Sequence, residues 1–284
     1  MKKLNIAFSH INYEKKIKKS NSDWLVKTTN DQIISYPPLK VSSYDKLVMI
    51  IAQLAYYNRN NLLFFRGQHI HYLKNNCTTL LPSIYRVVPP KKIISLKRNF
   101  ENLQSKTESL KSAFNSRNPK FAGTNLINKY PEIVHSILQH YRVCETPFLD
   151  ITHSIHVACS FALDNNIGEK GYIFVLGLPP IIESINYNTN EELVNIRLLN
   201  ICPPQAKRPQ FQEGYMLGTF PFYRLNEPSR ISQFDCARRL IAVFEIPNDP
   251  SFWGNGFNQI PPDKLYPKTD LVGKVCEKLK SQEN

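Results

Sequence analysis

The order of patterned segments along the chain is the strongest constraint on its fold. Stretches with helical periodicity lie mainly in the first half, and strand-like runs rich in aromatic and β-branched residues come mainly later. Repeated strand–helix–strand units would alternate the two patterns regularly. The order therefore predicts an α+β fold, with helices mainly from the N-terminal half. The clearest predicted helices are residues 42–57, 91–129, 131–143 and 154–166, and the clearest predicted strands are residues 62–67, 147–152, 171–178, 214–222 and 239–247.

Residues 1–40 differ from the rest of the chain. The stretch 11–32 is basic and polar with few apolar residues, and the pair Pro37-Pro38 is typical of a boundary or a semi-rigid connector. We predict a basic N-terminal extension over residues 1–40, at most partly ordered. One domain over residues 41–284 follows, a length sufficient for a sizeable core.

The charge of the chain favours an anionic partner. Lysine and arginine number 36 against 23 aspartates and glutamates, a formal net charge of 36 − 23 = +13. This excess suits nucleic acid or nucleotide phosphates, although a composition rich in lysine, asparagine and isoleucine explains it equally well.

Apolar runs and cysteine spacing bear on location. No run approaches the ~18 apolar residues of a membrane span, and the opening apolar stretch is too short for a signal peptide, so we expect no membrane partner. The six cysteines have no C-x-x-C spacing. This pattern predicts reduced thiols and a cytoplasmic location.

Three polar clusters follow apolar segments, and the first is Arg66-Gly67-Gln68 at the end of the run 62–65. A buried strand does not usually end on an unpaired guanidinium. Glycine lets a backbone approach a ligand closely, and arginine presents a planar fork to phosphate or carboxylate. A structural ion pair with a carboxylate such as Asp150 explains the pattern equally well.

The second cluster joins the end of a predicted helix to the next strand. His140 and Tyr141 end the helix, and Asp150, Thr152 and Ser154 alternate along the strand. Period-2 spacing places these last three on one face. Helix capping alone explains Ser154, but a row of three is more than a cap requires.

The third cluster precedes an aromatic strand. Arg208, Gln212 and Glu213 come before Gly214. Charged loop residues are usually just solvated, so this cluster is a weak signal by itself.

Together the three clusters resemble the FRG domain family, named for a Phe-Arg-Gly motif that here occupies residues 65–67. The matching segments, in order, are LLFFRGQ, LLPSIYR, LQHY, TPFLDIT, an R---QEG pattern and LYPKTDLVG, spread over most of residues 43–278. Two positions depart from the usual pattern, since Arg142 replaces a glycine and Ile151 a tryptophan.

The resemblance implies an arrangement similar to that of ADP-ribosyltransferases, with a split antiparallel β-sheet core and NAD as substrate. By that resemblance, Arg66 would hold the NAD pyrophosphate or ribose, and Thr152 and Ser154 would border the nicotinamide. Gln212 or Glu213 would take the late catalytic position. The remaining implied NAD-contacting residues are Gly67, Gln68, His140, Tyr141 and Asp150.

The implied reaction transfers ADP-ribose from NAD to a macromolecular acceptor, with RNA or DNA as candidates, and releases nicotinamide. The bond breaks through an oxocarbenium-like state that a nearby carboxylate or amide oxygen would stabilise. No G-x-G-x-x-G motif is present, as expected for this mode of NAD binding. A toxin, phage-defence or effector setting, with an antitoxin or regulatory protein as partner, follows by analogy alone.

Two other classes of function remain open. A non-catalytic module would bind nucleic acid or protein through the basic segments 1–40 and 91–129. A metal-dependent hydrolase would use the pairs His69 and His71 or His153 and His156, although no third ligand is set by spacing. A transferase predicts a cleft where Arg66, Thr152, Ser154 and Gln212 converge. A binding module predicts those side chains dispersed or neutralised by one another, and a hydrolase predicts converging histidines instead.

Overall fold

The structure, a computed structural model, describes residues 1–10, 25–86, 92–221 and 228–281. The α-helices of this part of the chain are α1 (Asn30–Ser35), α2 (Tyr44–Tyr57), α3 (Lys92–Asn115), α4 (Thr124–Lys129), α5 (Pro131–His140), α6 (Ile155–Leu163), α7 (Leu198–Ile201), α8 (Lys207–Phe211), α9 (Pro262–Leu265) and α10 (Leu271–Lys280). Its strands are β1 (Ala7–Ser9), β2 (Val26–Thr28), β3 (Leu39–Lys40), β4 (Leu62–Gln68), β5 (Leu73–Lys74), β6 (Cys77–Thr78), β7 (Phe148–Thr152), β8 (Lys170–Leu178), β9 (Ile185–Asn188), β10 (Leu193–Arg197), β11 (Gly214–Thr219) and β12 (Leu240–Pro247). Short 3-10 turns occupy Ser83–Tyr85, Pro228–Phe234, Cys236–Arg239 and Pro250–Trp253.

An eight-stranded sheet forms the centre of the molecule, in the order β3-β12-β8-β4-β7-β11-β10-β9. Neighbouring strands are antiparallel except for β3 and β12, which run parallel. The α+β prediction is confirmed.

The two strands at the middle of this sheet, β4 and β7, pair over a very short length. Strand β4 pairs with β8 along its whole length, from Leu62 to Gln68, but within the described strands it meets β7 at the single pair Phe65–Thr152. The sheet therefore divides into two four-stranded halves that diverge beyond this pair.

Two hydrophobic clusters pack on the sheet, the first against strands of both halves and the second against the half that contains β7. Helices α2 and α6 cover the half that contains β4, through side chains such as Leu47 and Ala158. Helices α3, α5 and α10 cover the half that contains β7, through Leu110, Ile137 and Val272. None of the helices in the described ranges combines the length and the apolar character needed to cross a membrane.

Capping residues mark the helix starts that the sequence predicts. Ser43 accepts the Lys46 N–H at the start of α2, and Ser154 accepts the Val157 N–H at the start of α6. Pro131 occupies the first turn of α5. The serine side chains accept N–H groups that would otherwise lack partners. Proline has no N–H to leave unpaired in the first turn, and its backbone angle already suits a helix.

The described parts of the predicted N-terminal extension, residues 1–10 and 25–40, pack on the first cluster instead of lying apart from it. Met1 is 1% exposed and Leu4 is 7% exposed. Strand β3 pairs with β12 at the edge of the main sheet. A few apolar side chains are sufficient to hold these residues on the domain, because each of them packs against the core. Residues 11–24, which carry most of the basic run, lie outside the described residues, and the domain boundary at residue 40 stays a prediction.

Candidate active site

A cleft opens where β4 and β7 diverge. The pair Phe65–Thr152 marks the point of divergence, and the cleft has a volume of about 790 Å³. Small-molecule sites in proteins are typically concave and of this order, roughly 300–1,000 Å³.

Most of the predicted site residues meet in this cleft. Tyr141, Ser154 and Glu213 lie outside its lining. The predicted residues that line it are Arg66, Gly67, Gln68, His140, Asp150, Thr152 and Gln212.

Arg66 bridges the opening between the two halves of the sheet. Its Nη1 donates a hydrogen bond of 2.7 Å to the backbone carbonyl oxygen of Asp150. With the Gln68 amide turned oxygen-inward, that oxygen accepts from Nε at 2.9 Å and from Nη2 at 3.2 Å. Burial lowers the pKa of Arg66 to about 10, which keeps the group charged at neutral pH. Because its hydrogen-bond partners are neutral groups, the alternative of a structural ion pair with the Asp150 carboxylate is not the contact that forms.

The Asp150 carboxylate is held by two other side chains. Its Oδ1 lies 3.0 Å from His140 Nδ1, and its Oδ2 accepts a 2.8 Å hydrogen bond from Gln139 Nε2. Thr146 in turn donates to Gln139. Burial by itself would raise the pKa of Asp150, but the hydrogen bond from His140 and the charge of Arg66 hold that pKa well below its usual range. Asp150 is therefore an ionised acceptor.

His140 is almost completely enclosed, with 2% of its surface exposed. Burial lowers its pKa, while the hydrogen bond to Asp150 opposes that change. We assign a neutral ring that donates from Nδ1 to Asp150. Its Nε2 is buried and has no hydrogen-bond partner among the described residues.

Arg208 also lines the cleft, although the sequence predicted it only as a member of the third cluster and not as a site residue. Its guanidinium carbon lies 4.8 Å from the centre of the Tyr266 ring and 5.5 Å from that of Tyr141. Its backbone N–H donates to Asp270 Oδ2 at 2.8 Å. Its buried Nε has no hydrogen-bond partner in the described ranges. The signal in the sequence was its place four residues before Gln212, one helical turn away.

The structure separates the two residues proposed for the late catalytic position. Gln212 is 4% exposed and its Nε2 donates to the Leu265 carbonyl oxygen at 2.7 Å. Glu213 is exposed, and its φ of 43° lies in the left-handed region. Gln212 thus faces the cleft, and the adjacent turn directs Glu213 away from its lining.

Two other predicted residues have structural contacts that explain them. Ser154 caps α6, and its own N–H donates to Thr152 Oγ1 at 3.1 Å. The Tyr141 hydroxyl donates to Asp270 Oδ2 at 2.7 Å, deep in the second cluster. Capping and buried hydrogen bonding account for both side chains without a ligand.

The lining of the cleft is positively charged. It contains four arginines and three carboxylates, a net charge of 4 − 3 = +1 from these groups. Arg142 has a φ of 54°, the left-handed conformation that glycine adopts readily, at the position where the FRG pattern usually has glycine. Such a lining attracts anions. The arginines are Arg66, Arg86, Arg142 and Arg208, and the carboxylates are those of Glu145, Asp150 and Asp164.

The histidines considered for a metal site have separate partners. His71 Nε2 lies 2.9 Å from Thr78 Oγ1, His153 packs on Phe64, and His156 Nε2 is 2.6 Å from a backbone carbonyl oxygen. In the described ranges, no three histidine, cysteine, aspartate or glutamate side chains are close enough together to hold a metal ion. The hydrolase alternative therefore has no geometric support there.

Residues 61–170 match the sequence model of the FRG domain. The matched range contains the first two polar clusters, and the third lies beyond it. No curated protein and no solved structure matches the chain.

Proposed function

Residues 61–170 of this chain are an FRG domain, and from that premise and the arginine-lined cleft we propose that the protein is an ADP-ribosyltransferase. It takes NAD as substrate, transfers ADP-ribose to a macromolecular acceptor and releases nicotinamide. We place this activity in the cytoplasm, in keeping with six cysteines that are all free thiols. The proposed setting, by analogy, is toxin, phage-defence or effector activity controlled by an antitoxin or regulatory protein.

One observation carries the proposal: Arg66 and Arg208 line one cleft and, among the described residues, neither forms a salt bridge. Arg66 is held by neutral oxygens and Arg208 by aromatic rings. A pyrophosphate carries two anionic groups, and arginine is suited to bind each of them through a planar pair of N–H donors.

The remaining site residues suit the sugar end of NAD. The Nε2 of Gln212 is used by Leu265, which leaves Oε1 as the atom available to the positive charge that develops on the ribose. The Asp150 carboxylate adds negative charge in the same cleft. We therefore assign the late catalytic position to Gln212, and Glu213 has no part in the proposed reaction.

The test measures nicotinamide release from NAD by the wild-type protein and by Arg66→Gln and Arg208→Gln, with total RNA, DNA or cell protein as acceptor. Hydrogen bonds to charged groups contribute about 1.5–3 kcal/mol, so each variant should release nicotinamide about 10- to 100-fold more slowly. Arg59→Gln removes the same charge from an exposed position and should behave as the wild type.

Two results would contradict the proposal. One is a wild-type protein that releases no nicotinamide with any acceptor and whose melting temperature NAD does not raise. The other is equal release by Arg66→Gln and Arg59→Gln. The first result would favour the non-catalytic binding module, which the net charge of +13 also supports. The second would show that Arg66 does not hold NAD.

A further inference from the structure

We infer that His140 is the general base of this site and that the acceptor group it serves is a hydroxyl, for which water or a small alcohol can substitute in solution. This inference rests on the proposed transferase function and specifies the chemical class of its acceptor.

The first support is the way in which the imidazole is held. Asp150 Oδ1 lies 3.0 Å from Nδ1, and the carboxylate is itself fixed by Gln139 at 2.8 Å. Arg66 holds the backbone carbonyl of the same aspartate at 2.7 Å. A carboxylate that accepts from one ring nitrogen sets the tautomer and leaves a lone pair on the other nitrogen. His140 Nε2 is therefore an acceptor of fixed position.

The second support is that this acceptor lacks a partner. His140 lines the cleft and is 2% exposed, and within the described parts of the chain its Nε2 makes no hydrogen bond. Buried acceptors are almost always satisfied, so an exception calls for an explanation. Gly214 packs closely on the ring, since a Cβ at that position would lie 3.2 Å from His140 Cε1. A donor on a bound ligand would satisfy the orphaned nitrogen.

The chemistry of the transfer supplies such a donor. The oxygen of the acceptor hydroxyl forms a bond to C1′ of the ribose, and the C1′–N bond breaks with its electron pair going to nicotinamide. Nicotinamide leaves neutral, and the hydroxyl proton goes to His140 Nε2. A carboxylate acceptor would arrive without a proton and need no base. A guanidinium acceptor, with a pKa of about 12.5 or above, holds its proton too tightly for an imidazole. A neutral imidazole base thus matches a hydroxyl acceptor.

The test uses the full chain and compares the wild type with His140→Asn, which retains an N–H donor for Asp150 but lacks Nε2. His156→Asn, outside the cleft, is the matched control. Each protein is given NAD in buffer, in buffer with methanol, and in buffer with sodium azide against equal sodium chloride. Free ADP-ribose identifies water as acceptor, and methyl ADP-ribose identifies an alcohol.

General-base catalysis contributes about 10²- to 10⁴-fold, so His140→Asn should release nicotinamide slower by that factor while NAD still raises its melting temperature. Azide carries no proton to remove. It should restore release in this variant and yield ADP-ribosyl azide, a rescue that a purely structural role would not produce.

The possible failures are distinguishable. If the wild type releases nicotinamide and His140→Asn does so equally fast, the base assignment is wrong and the transferase stands. If azide fails to restore release in a variant that still binds NAD, the base assignment is also wrong. If the wild type is inactive in every arm, the proposed function fails and the inference fails with it.

Discussion

At the scale of single residues, Asp270 connects the second core cluster to the cleft. Its Oδ2 accepts from the Tyr141 hydroxyl at 2.7 Å and from the Arg208 N–H at 2.8 Å, and its Oδ1 accepts from the Gly273 N–H. Tyr141→Phe removes one donor from this buried carboxylate. We expect the free energy of unfolding to fall by about 1–3 kcal/mol in urea titrations. Tyr56→Phe, at a tyrosine that is 70% exposed, should leave it unchanged, and equal stability of the two variants would contradict this role of Tyr141.

At the scale of elements, α6 packs on the sheet through glycines. A Cβ on Gly67 would lie 1.8 Å from the Ala158 carbonyl oxygen, and one on Gly171 would lie 2.5 Å from that of Ala162. The Arg66-Gly67 motif predicted that Gly67 lets the backbone approach a ligand closely, whereas the space where its Cβ would lie is filled by helix backbone. Gly67→Ala should lower the free energy of unfolding by about 3 kcal/mol or more, since the backbone must shift. Gly256→Ala, with nothing within 4 Å, should change it by less than about 0.5 kcal/mol, and similar urea midpoints for both would contradict the packing argument.

At the scale of the whole molecule, the N-terminal segment makes stability sensitive to acid. His10 is 2% exposed against Tyr36 and Phe244, and burial lowers its pKa from 6.5 to about 4. Between these values the unfolded chain binds a proton at His10 and the folded chain does not. The contribution of neutral, buried His10 to the free energy of unfolding is therefore complete above pH 6.5 and is lost as the pH falls. The loss amounts to about 2 kcal/mol at pH 5. His10→Gln should show a loss between pH 7 and pH 5 that is smaller by this amount, and an equal loss in urea titrations would contradict the burial of His10.

Local patterns were sufficient for the longer helices, for the central strands and for part of the site. The starts of α2, α5 and α6 depend on contacts within one turn, so sequence reasoning could find them to within a residue or two. Several short strands, among them β9 and β10, were not predicted, because their segments lack the long apolar runs of the central strands.

The sequence by itself determined the α+β class, the resemblance to the FRG domain and the first two polar clusters, because these depend on periodicity and motif order along the chain. Tertiary structure alone decided which of the side chains meet. Whether β4 and β7 pair or diverge is a property of two packed halves, and that divergence opens the cleft. Gln212 lies in the cleft lining and Arg208 lies between two tyrosine rings because of contacts with distant segments, which no local pattern encodes.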